Sequence, residues 1–169
     1  MAAPLPSLTP DCARCAALCC LALAFDKGPR FAFDKPAGLP CPKLDHHRCS
    51  IHDGLDDAGF SGCIAYGCSG AGQRVFQQLY QGISWQDAPE TTPQMIESFA
   101  HMRAIHDALE LLQTAAKLPL SAPEQETLNA FQSQLNAPLT PHSTQDLATG
   151  PTLPAIRAFL KSLAHHLNA

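Results

Sequence analysis

The sequence predicts a mainly α-helical fold in which a short, irregular, cysteine-rich region packs on a small helical bundle. Two observations support this prediction. All eight cysteines lie between residues 11 and 68, in a stretch that Pro and Gly interrupt repeatedly. After residue 90, apolar side chains instead recur at intervals of three and four, which is the period of an amphipathic helix. At 169 residues the chain is long enough to bury a core without metals or disulfides.

Charge and hydropathy exclude two classes of partner. The net charge is −4, with 11 Lys and Arg against 15 Asp and Glu and no basic run, so we do not expect nucleic-acid binding. The apolar run over residues 15–25 is too short to span a bilayer, and no basic segment precedes it. No membrane contact and no signal peptide are therefore predicted. We expect a cytoplasmic protein, where thiols stay reduced and favour metal binding over disulfides.

The first 24 residues are predicted to form an arm followed by a short helix. Residues 1–10 contain three prolines and read as a flexible or loosely docked arm. Asp11 is a suitable N-cap for a short helix over residues 12–24. Successive residues of a helix are rotated by about 100°, which would place Cys12, Cys15 and Cys19 within about 60° of one another. Cys20 would then lie at the flank of the same face.

The next segments are less regular. Residues 26–44 are predicted to be a long loop with one short strand pair. Residues 50–59 predict a short helix ended by glycine, and residues 63–68 a turn or strand end. A helical run is expected over residues 73–80. The glycines at 70 and 72 are not interpreted as a phosphate loop, because no lysine-serine pair follows and no buried strand precedes.

Residues 92–117 give the strongest helix prediction. Six apolar residues share one face of that helix: Met95, Phe99, Met102, Ile105, Leu109 and Leu112. Ser121 and Glu124 form a capping-box pattern at the start of a second helix. A proline-rich connection over residues 138–151 leads to a third helix that starts at Pro154, with Leu167 among its inward residues. We expect an antiparallel bundle over residues 70–169 that forms one compact unit with the metal-binding region at 11–69.

The cysteines are predicted to bind metal, because thiolates are soft donors that suit zinc, iron–sulfur clusters or Cu(I). Their spacing is Cys-x2-Cys-x3-Cys-Cys, then Cys-x7-Cys, then Cys-x4-Cys, which allows two four-thiolate sites or one site with spectators. It matches neither a zinc ribbon nor the common ferredoxin runs. Adjacent cysteines share one ion poorly, so one of the pair at 19–20 is expected to serve a second centre or the core. The predicted ligands are Cys12, Cys15, Cys19, Cys20, Cys41, Cys49, Cys63 and Cys68.

Other interpretations of the same residues stay open. Cysteines can be small buried hydrophobes, and an even number permits disulfides. His52 could add a nitrogen ligand three residues after Cys49, or it could be a surface histidine. The adjacent pairs at 46–47 and 165–166 are not expected to chelate alone, because neighbouring side chains point apart. His101 and His106 are expected at the surface or an interface.

A catalytic cysteine is the enzyme alternative. It would need a base and an orienting group, for which His52 or Tyr66 are the candidates. Ligation explains eight cysteines and a single nucleophile does not, so no catalytic residue is predicted and the sequence favours a non-enzyme. Lys35 and Arg48 are expected to offset the negative charge of the thiolates.

Several of these motifs together resemble a known family. They are Asp-Cys-x2-Cys-x3-Cys-Cys, Asp-Lys-Pro-Ala-Gly at 34–38, Cys-Pro-x-Leu at 41–44, Cys-Ser-Ile-His at 49–52, and Gly-Phe-x2-Cys-x2-Tyr-x-Cys at 59–68. Their spacing resembles that of cysteine-rich proteins described as zinc- or iron-chelating domains. More closely, residues 11–117 resemble the leading region of bacterial proteins that continue into pentapeptide repeats. The 169 residues contain no such repeats, so roles of that solenoid, such as DNA mimicry, are not carried over.

The resemblance implies a metal-binding protein that holds zinc or an iron–sulfur cluster on its cysteines. The resemblance extends to more distant relatives that use the cysteines for an iron–sulfur site, and it implies that use here as well. We keep two alternatives: an iron–sulfur redox component or metalloenzyme accessory that acts on a partner, and a Cu(I) or zinc buffer. The helical region is the candidate surface for a protein partner.

Overall fold

The computed structural model describes residues 5–167, and within that range the fold is mainly α-helical, as predicted. Over the described residues the only sheet has two strands. The α-helices are α1 (Leu18–Ala22), α2 (Ser61–Ala65), α3 (Ala71–Arg74), α4 (Thr92–Ala115), α5 (Ala122–Asn136), α6 (Pro141–Thr149) and α7 (Thr152–Ser162). The strands are β1 (Leu44–Asp45) and β2 (Arg48–Cys49), paired antiparallel. None of the described helices is both long enough and apolar enough to cross a membrane.

Shorter turns connect these elements. The 3₁₀ turns are Cys12–Arg14, His52–Gly54, Pro89–Thr91 and Leu163–Leu167, and one π-helical turn, Val75–Leu79, continues directly from α3. The short helix predicted over residues 50–59 is therefore reduced to a single 3₁₀ turn. Gly59 ends that segment with a φ of 81°, a conformation that glycine adopts at little cost.

Helix α4 is the centre of the fold. The six residues predicted to face inward from it are all buried, which confirms that prediction. The helix packs against α1, α3, α5, α6 and α7. Because each fully buried large apolar side chain contributes about 1.5–3 kcal/mol, α4 supplies a large share of the stabilisation by burial. Leu18 and Leu21 of α1 belong to the same continuous core, so the cysteine-rich region and the helical layer share one hydrophobic interior.

The C-terminal helices differ from the prediction in number. The capping box at Ser121 and Glu124 is present at the start of α5. The segment predicted as a proline-rich connection instead contains α6, because Thr140 and Ser143 form a second capping box and Pro141 occupies the first turn, where its missing N–H costs nothing. The last helix begins at Thr152 rather than Pro154. Leu167 is 72% exposed and does not face the core.

The single helix predicted over residues 12–24 is wrong. The chain makes the 3₁₀ turn, becomes extended at Cys15, passes through a left-handed residue at Ala17 (φ 52°) and only then enters α1. Ala16 and Ala17 are buried, and the indole Nε1–H of Trp85 donates a hydrogen bond of 2.8 Å to the carbonyl of Ala16. This anchor directs the Ala16 carbonyl into the core, away from the helical ladder that was predicted.

The first segment of the chain docks on the helical part over its described residues. Residues 1–4 of the predicted arm lie outside the part that the structure describes. Leu5 and Leu8 pack against the core. Gln73 of α3 donates to the carbonyl of Thr9 (3.0 Å) and accepts from the backbone N–H of Asp11 (2.6 Å). Residues 5–11 are thus positioned beside the first cysteine.

A separate aromatic cluster supports the loop between α1 and α2. The rings of Phe25 and Phe31 stack with centroids 4.3 Å apart, and Phe33 meets Phe60 edge-on at 5.0 Å. The strand pair predicted over residues 26–44 is reduced to isolated bridges between Phe25 and Lys35 and between Gly28 and Phe31. Side-chain stacking, rather than a sheet, therefore supports residues 25–35 of this loop.

Candidate metal centre

The eight cysteines come from several elements of the first 68 residues, and all are free thiols. Cys12 begins the first 3₁₀ turn, Cys15 is extended after it, Cys19 and Cys20 lie in α1, Cys41 is in the loop, Cys49 ends β2, Cys63 is in α2 and Cys68 precedes α3. Backbone contacts fix several of them. The N–H of Cys41 donates to the carbonyl of Cys20 (3.0 Å), and Cys49 is the partner of Leu44 in the two-stranded sheet.

The thiols lie near enough to affect one another's ionisation, and Cys19 acts on Cys12, Cys15 and Cys63. The pKa of Cys12 is raised by burial and then by the neighbouring thiols of Cys19, Cys68 and Cys49. The pKa of Cys63 is raised by burial and then by Cys19, Cys41 and Cys49. The thiols of Cys19 and Cys49 therefore raise the pKa of both Cys12 and Cys63. The structure does not divide the cysteines into two isolated sets of four.

Burial raises the pKa of several of these thiols, so they do not ionise readily without a nearby positive charge. The pKa of Cys15 is raised to about 12, chiefly by burial. The pKa of Cys19 is raised strongly by its hydrogen bond with Cys20 and by burial, the two sulfurs lying 3.9 Å apart. A thiolate is the metal-binding form, so such buried thiols lose their protons when a positive ion compensates the charge.

The spacing of the sulfurs indicates what kind of centre fits. With zinc–sulfur bonds of about 2.3 Å, the edge of a tetrahedral thiolate site is about 3.8 Å. The 3.9 Å between Cys19 and Cys20 matches such an edge, although adjacent cysteines were not expected to share an ion. Among the described residues, however, no three cysteine sulfurs lie within 4.8 Å of one another. The donor set suits soft metal ions, but as placed it does not outline one compact tetrahedral site.

A buried lysine lies next to three of the thiols, as predicted. Lys35 is only 3% exposed, and its Nζ donates to the carbonyls of Leu21 (3.1 Å), Leu23 (2.5 Å) and Pro36 (3.1 Å). Burial lowers the pKa of Lys35, while the nearby thiols of Cys41, Cys20 and Cys19 oppose that shift. The ammonium therefore caps the end of α1 and offers positive charge to the thiolates.

An open cleft of about 480 Å³ leads to Cys12 and Cys15, and its opposite wall is the turn between β1 and β2. Arg48 lines the cleft as well. His47 lines it too, and its Nε2 atom is buried without a hydrogen-bond partner among the described residues. Sequence reasoning missed His47, because a pair of adjacent histidines gives no spacing signal. An orphaned imidazole nitrogen in a cleft with two thiols is a candidate further ligand.

The two other residues considered from the sequence are less suited to chemistry at the thiols. The imidazole of His52 is 65% exposed, and its Nδ1 lies 3.5 Å from Asp53. Burial raises the pKa of Tyr66 to about 12, and its ring lies 5.9 Å from the guanidinium of Arg103. A phenol with so high a pKa is a poor general base at neutral pH.

His106 corrects another expectation. It is completely buried in α4 instead of lying at the surface or an interface. Its Nδ1–H donates to the carbonyl of Ser69 (2.5 Å), and its Nε2 accepts from Arg74 (3.4 Å). Burial lowers its pKa to about 4, so it is a neutral link between α4 and the segment that follows Cys68.

Comparisons with known proteins give one informative match. The chain is 44% identical over 117 residues to "Uncharacterized protein YybG" of Bacillus subtilis (strain 168). The match covers 69% of this chain and 42% of that protein, so the chain spans about two fifths of the length of its relative. No protein-family model matches the chain, and no solved structure matches it.

Proposed function

We propose that the chain is a metal-binding protein whose cysteines hold zinc or an iron–sulfur cluster. The observation that carries this proposal is that eight free thiols, from several elements, lie near enough to affect one another's ionisation. Soft thiolate donors select zinc, Cu(I) and iron–sulfur centres over hard cations. The resemblance of residues 11–68 to zinc- or iron-chelating domains supports the same function.

The donors of the centre are the eight cysteines, with His47 as the further candidate. The resident metal supplies the positive charge that keeps the buried thiols ionised. The chain itself contributes Lys35, whose ammonium lies close enough to Cys19, Cys20 and Cys41 to stabilise their charged forms. Among the described residues no three sulfurs lie within 4.8 Å of one another, so the thiols as placed do not outline one tetrahedral four-thiolate site. A cytoplasmic location, where thiols stay reduced, belongs to the same proposal.

Elemental analysis of protein purified without oxygen tests the proposal, with inorganic sulfide measured alongside. We expect at least one metal ion per chain. Iron with matching sulfide and a brown colour would identify a cluster, whereas zinc without sulfide would leave the protein colourless. Protein that carries neither, even after reconstitution with both zinc and iron plus sulfide, would contradict the proposal.

The cleft favours a second candidate function, an iron–sulfur redox component that acts on a partner. The cleft opens onto Cys12 and Cys15, and Arg48 lies at its wall. A partner or anionic small molecule could reach the centre there. Reversible one-electron reduction of the purified protein, followed by visible absorption, distinguishes this candidate from a zinc protein or a Cu(I) buffer.

A further inference from the structure

A second group of metal-ligating side chains lies away from the cysteines, between the start of α5 and the end of the described chain. It consists of Glu124, His165 and His166, and one ligand atom from each lies within 4.8 Å of the other two. Glu124 is in the first turn of α5, and the histidines are in the 3₁₀ turn after α7. Adjacent histidines were expected to point apart. In this turn their ring centroids are 3.9 Å apart.

The distances within this group match those of a zinc site. The Nε2 atom of His166 lies 3.2 Å from Oε1 and 3.1 Å from Oε2 of Glu124, and the Nε2 atom of His165 lies 3.5 Å from Oε1. For zinc–nitrogen and zinc–oxygen bonds of about 2.0–2.1 Å, the edge of a tetrahedron is about 3.3 Å. The three nitrogen–oxygen distances are close to that edge, and all three ligand atoms lie within 4.8 Å of one another.

Hydrogen bonds to the other atoms of these side chains orient them. The Oε2 atom of Glu124 accepts from the backbone N–H and hydroxyl of Ser121 (2.7 and 2.6 Å), which fixes the carboxylate so that Oε1 lies near both imidazoles and Oε2 near His166. The Nδ1–H of His165 donates to the carbonyl of Ser162 (2.9 Å), which directs its Nε2 towards Glu124. Hydrogen bonds of this kind, made by the atoms that do not ligate, commonly fix the tautomer and direction of zinc ligands.

The three ligand atoms lie close enough together for one divalent ion to take the place of the contacts between the two imidazoles and the carboxylate, because a metal ion can bond to all three at once. His166 is 12% exposed and Glu124 21% exposed, while His165 is 61% exposed, so the site is partly buried and open on one side.

We infer that Glu124, His165 and His166 form a second metal site, for Zn²⁺ or a similar divalent ion, that is independent of the cysteines. Two imidazoles and a carboxylate supply three ligands, and water fills the fourth position on the side open to solvent. A bound ion joins the start of α5 to the end of the chain. The site would therefore link metal availability to the docking of the last turn on the helical layer.

Titration of Co²⁺ into the full-length, untagged protein with its cysteine centre loaded tests this inference. Nitrogen and oxygen ligands give a ligand-field band in the visible range without the ultraviolet sulfur-to-cobalt band that thiolates produce. We expect one such ion per chain, displaced by Zn²⁺. His165→Gln and His166→Gln should each weaken binding by at least about tenfold, because each removes a direct ligand.

Two controls distinguish binding at this site from binding elsewhere on the chain. His142→Gln removes an exposed histidine that pairs only with Asp146 on its own helix, and should leave Co²⁺ binding unchanged. Cys19→Ser should leave this band unchanged even where it empties the cysteine centre. Glu124→Gln is less informative, because Glu124 also caps α5. Unchanged Co²⁺ affinity in both histidine variants, with native circular dichroism, would overturn the inference, as would a saturating titration without the nitrogen–oxygen band.

Discussion

Gly72→Ala is the substitution that tests the cysteine centre without removing a cysteine. Gly72 lies in α3, and a Cβ atom added there would meet the Sγ atom of Cys15 at 2.6 Å and the ring of Phe99 at 3.7 Å. The distance to the ring is an ordinary van der Waals contact, whereas the distance to the sulfur is too short for any real contact. In the absence of metal, Cys15 can turn its side chain away at modest cost.

Two effects of this substitution act in opposite directions. Alanine is favoured over glycine in a helix by about 1 kcal/mol, so the metal-free protein should lose little stability or gain some. Ordinary contact begins at 3.4 Å, so the sulfur of Cys15 must move by about 0.8 Å. Metal–ligand distances vary by only about 0.2 Å, and Cys15 therefore cannot keep its bond unless the backbone moves.

Metal content and circular dichroism together measure the outcome. We expect Gly72→Ala to keep its helix signal and to lose metal. Gly67→Ala is the matched control, since no atom lies within 4 Å of its added Cβ although it adjoins Cys68. If Gly72→Ala retains the metal content of the parent protein, Cys15 is not a ligand in the geometry described above.

Four further predictions follow from burial and hydrogen bonding. His106 stays neutral in the fold with a pKa of about 4 against 6.5 when unfolded, so the unfolded state takes up the proton first and stability falls as the pH drops from 6.5 towards 4. The loss between pH 7.5 and pH 5 is about 2 kcal/mol in urea unfolding, and His106→Gln should reduce it. Arg74→Met should cost about 2–3 kcal/mol, because the buried guanidinium donates to the carbonyls at the end of α5. Leu109→Ala should cost about 2–5 kcal/mol and the exposed Leu111→Ala less than about 0.5 kcal/mol, measured by the same unfolding. Metal removal should increase proteolysis within residues 11–68 while α4 to α7 stay protected.

Each of these predictions has a clear contrary result. A pH profile of His106→Gln parallel to that of the parent would show that another group governs acid stability. An Arg74→Met variant as stable as the parent would show that the buried guanidinium does not hold the end of α5. Equal costs for the two leucine substitutions would contradict the central position of α4. Proteolysis of residues 11–68 that is the same with and without metal would separate folding of this region from metal binding.

The helical layer was the part of the fold that the sequence predicted best. Regular spacing of apolar residues identified α4, and the capping box identified α5, because both are local patterns. Helix α6 was missed, since the prolines around it suggested a loop although Pro141 sits where a helix tolerates it. The break at Ala17 was also unpredictable, because it depends on a hydrogen bond from Trp85, 69 residues away from Ala16 in the chain.

The candidate sites also divide into features that a local sequence pattern reveals and features that depend on contacts between distant residues. Counting and spacing drew attention to the eight cysteines, but not to the proximity of their thiols, which depends on how distant loops pack. The unpartnered Nε2 atom of His47 results from tertiary packing, which local sequence patterns do not reveal. The same is true of the convergence of His165 and His166 with Glu124. Adjacent histidines carry no periodic signal, and only the turns in which they lie bring their nitrogens to a common point.

The most direct test of metal binding by the cysteines is the metal retained by Cys19→Ser, measured by native mass spectrometry on protein purified without oxygen. Cys19 lies near enough to Cys12, Cys15 and Cys63 to affect their ionisation, so its loss should remove most of the metal that the parent protein carries at its cysteines. Cys63→Ser, which replaces an exposed cysteine, should remove less. A parent protein without metal, or a Cys19→Ser variant with the full metal content of the parent, would contradict the central claim.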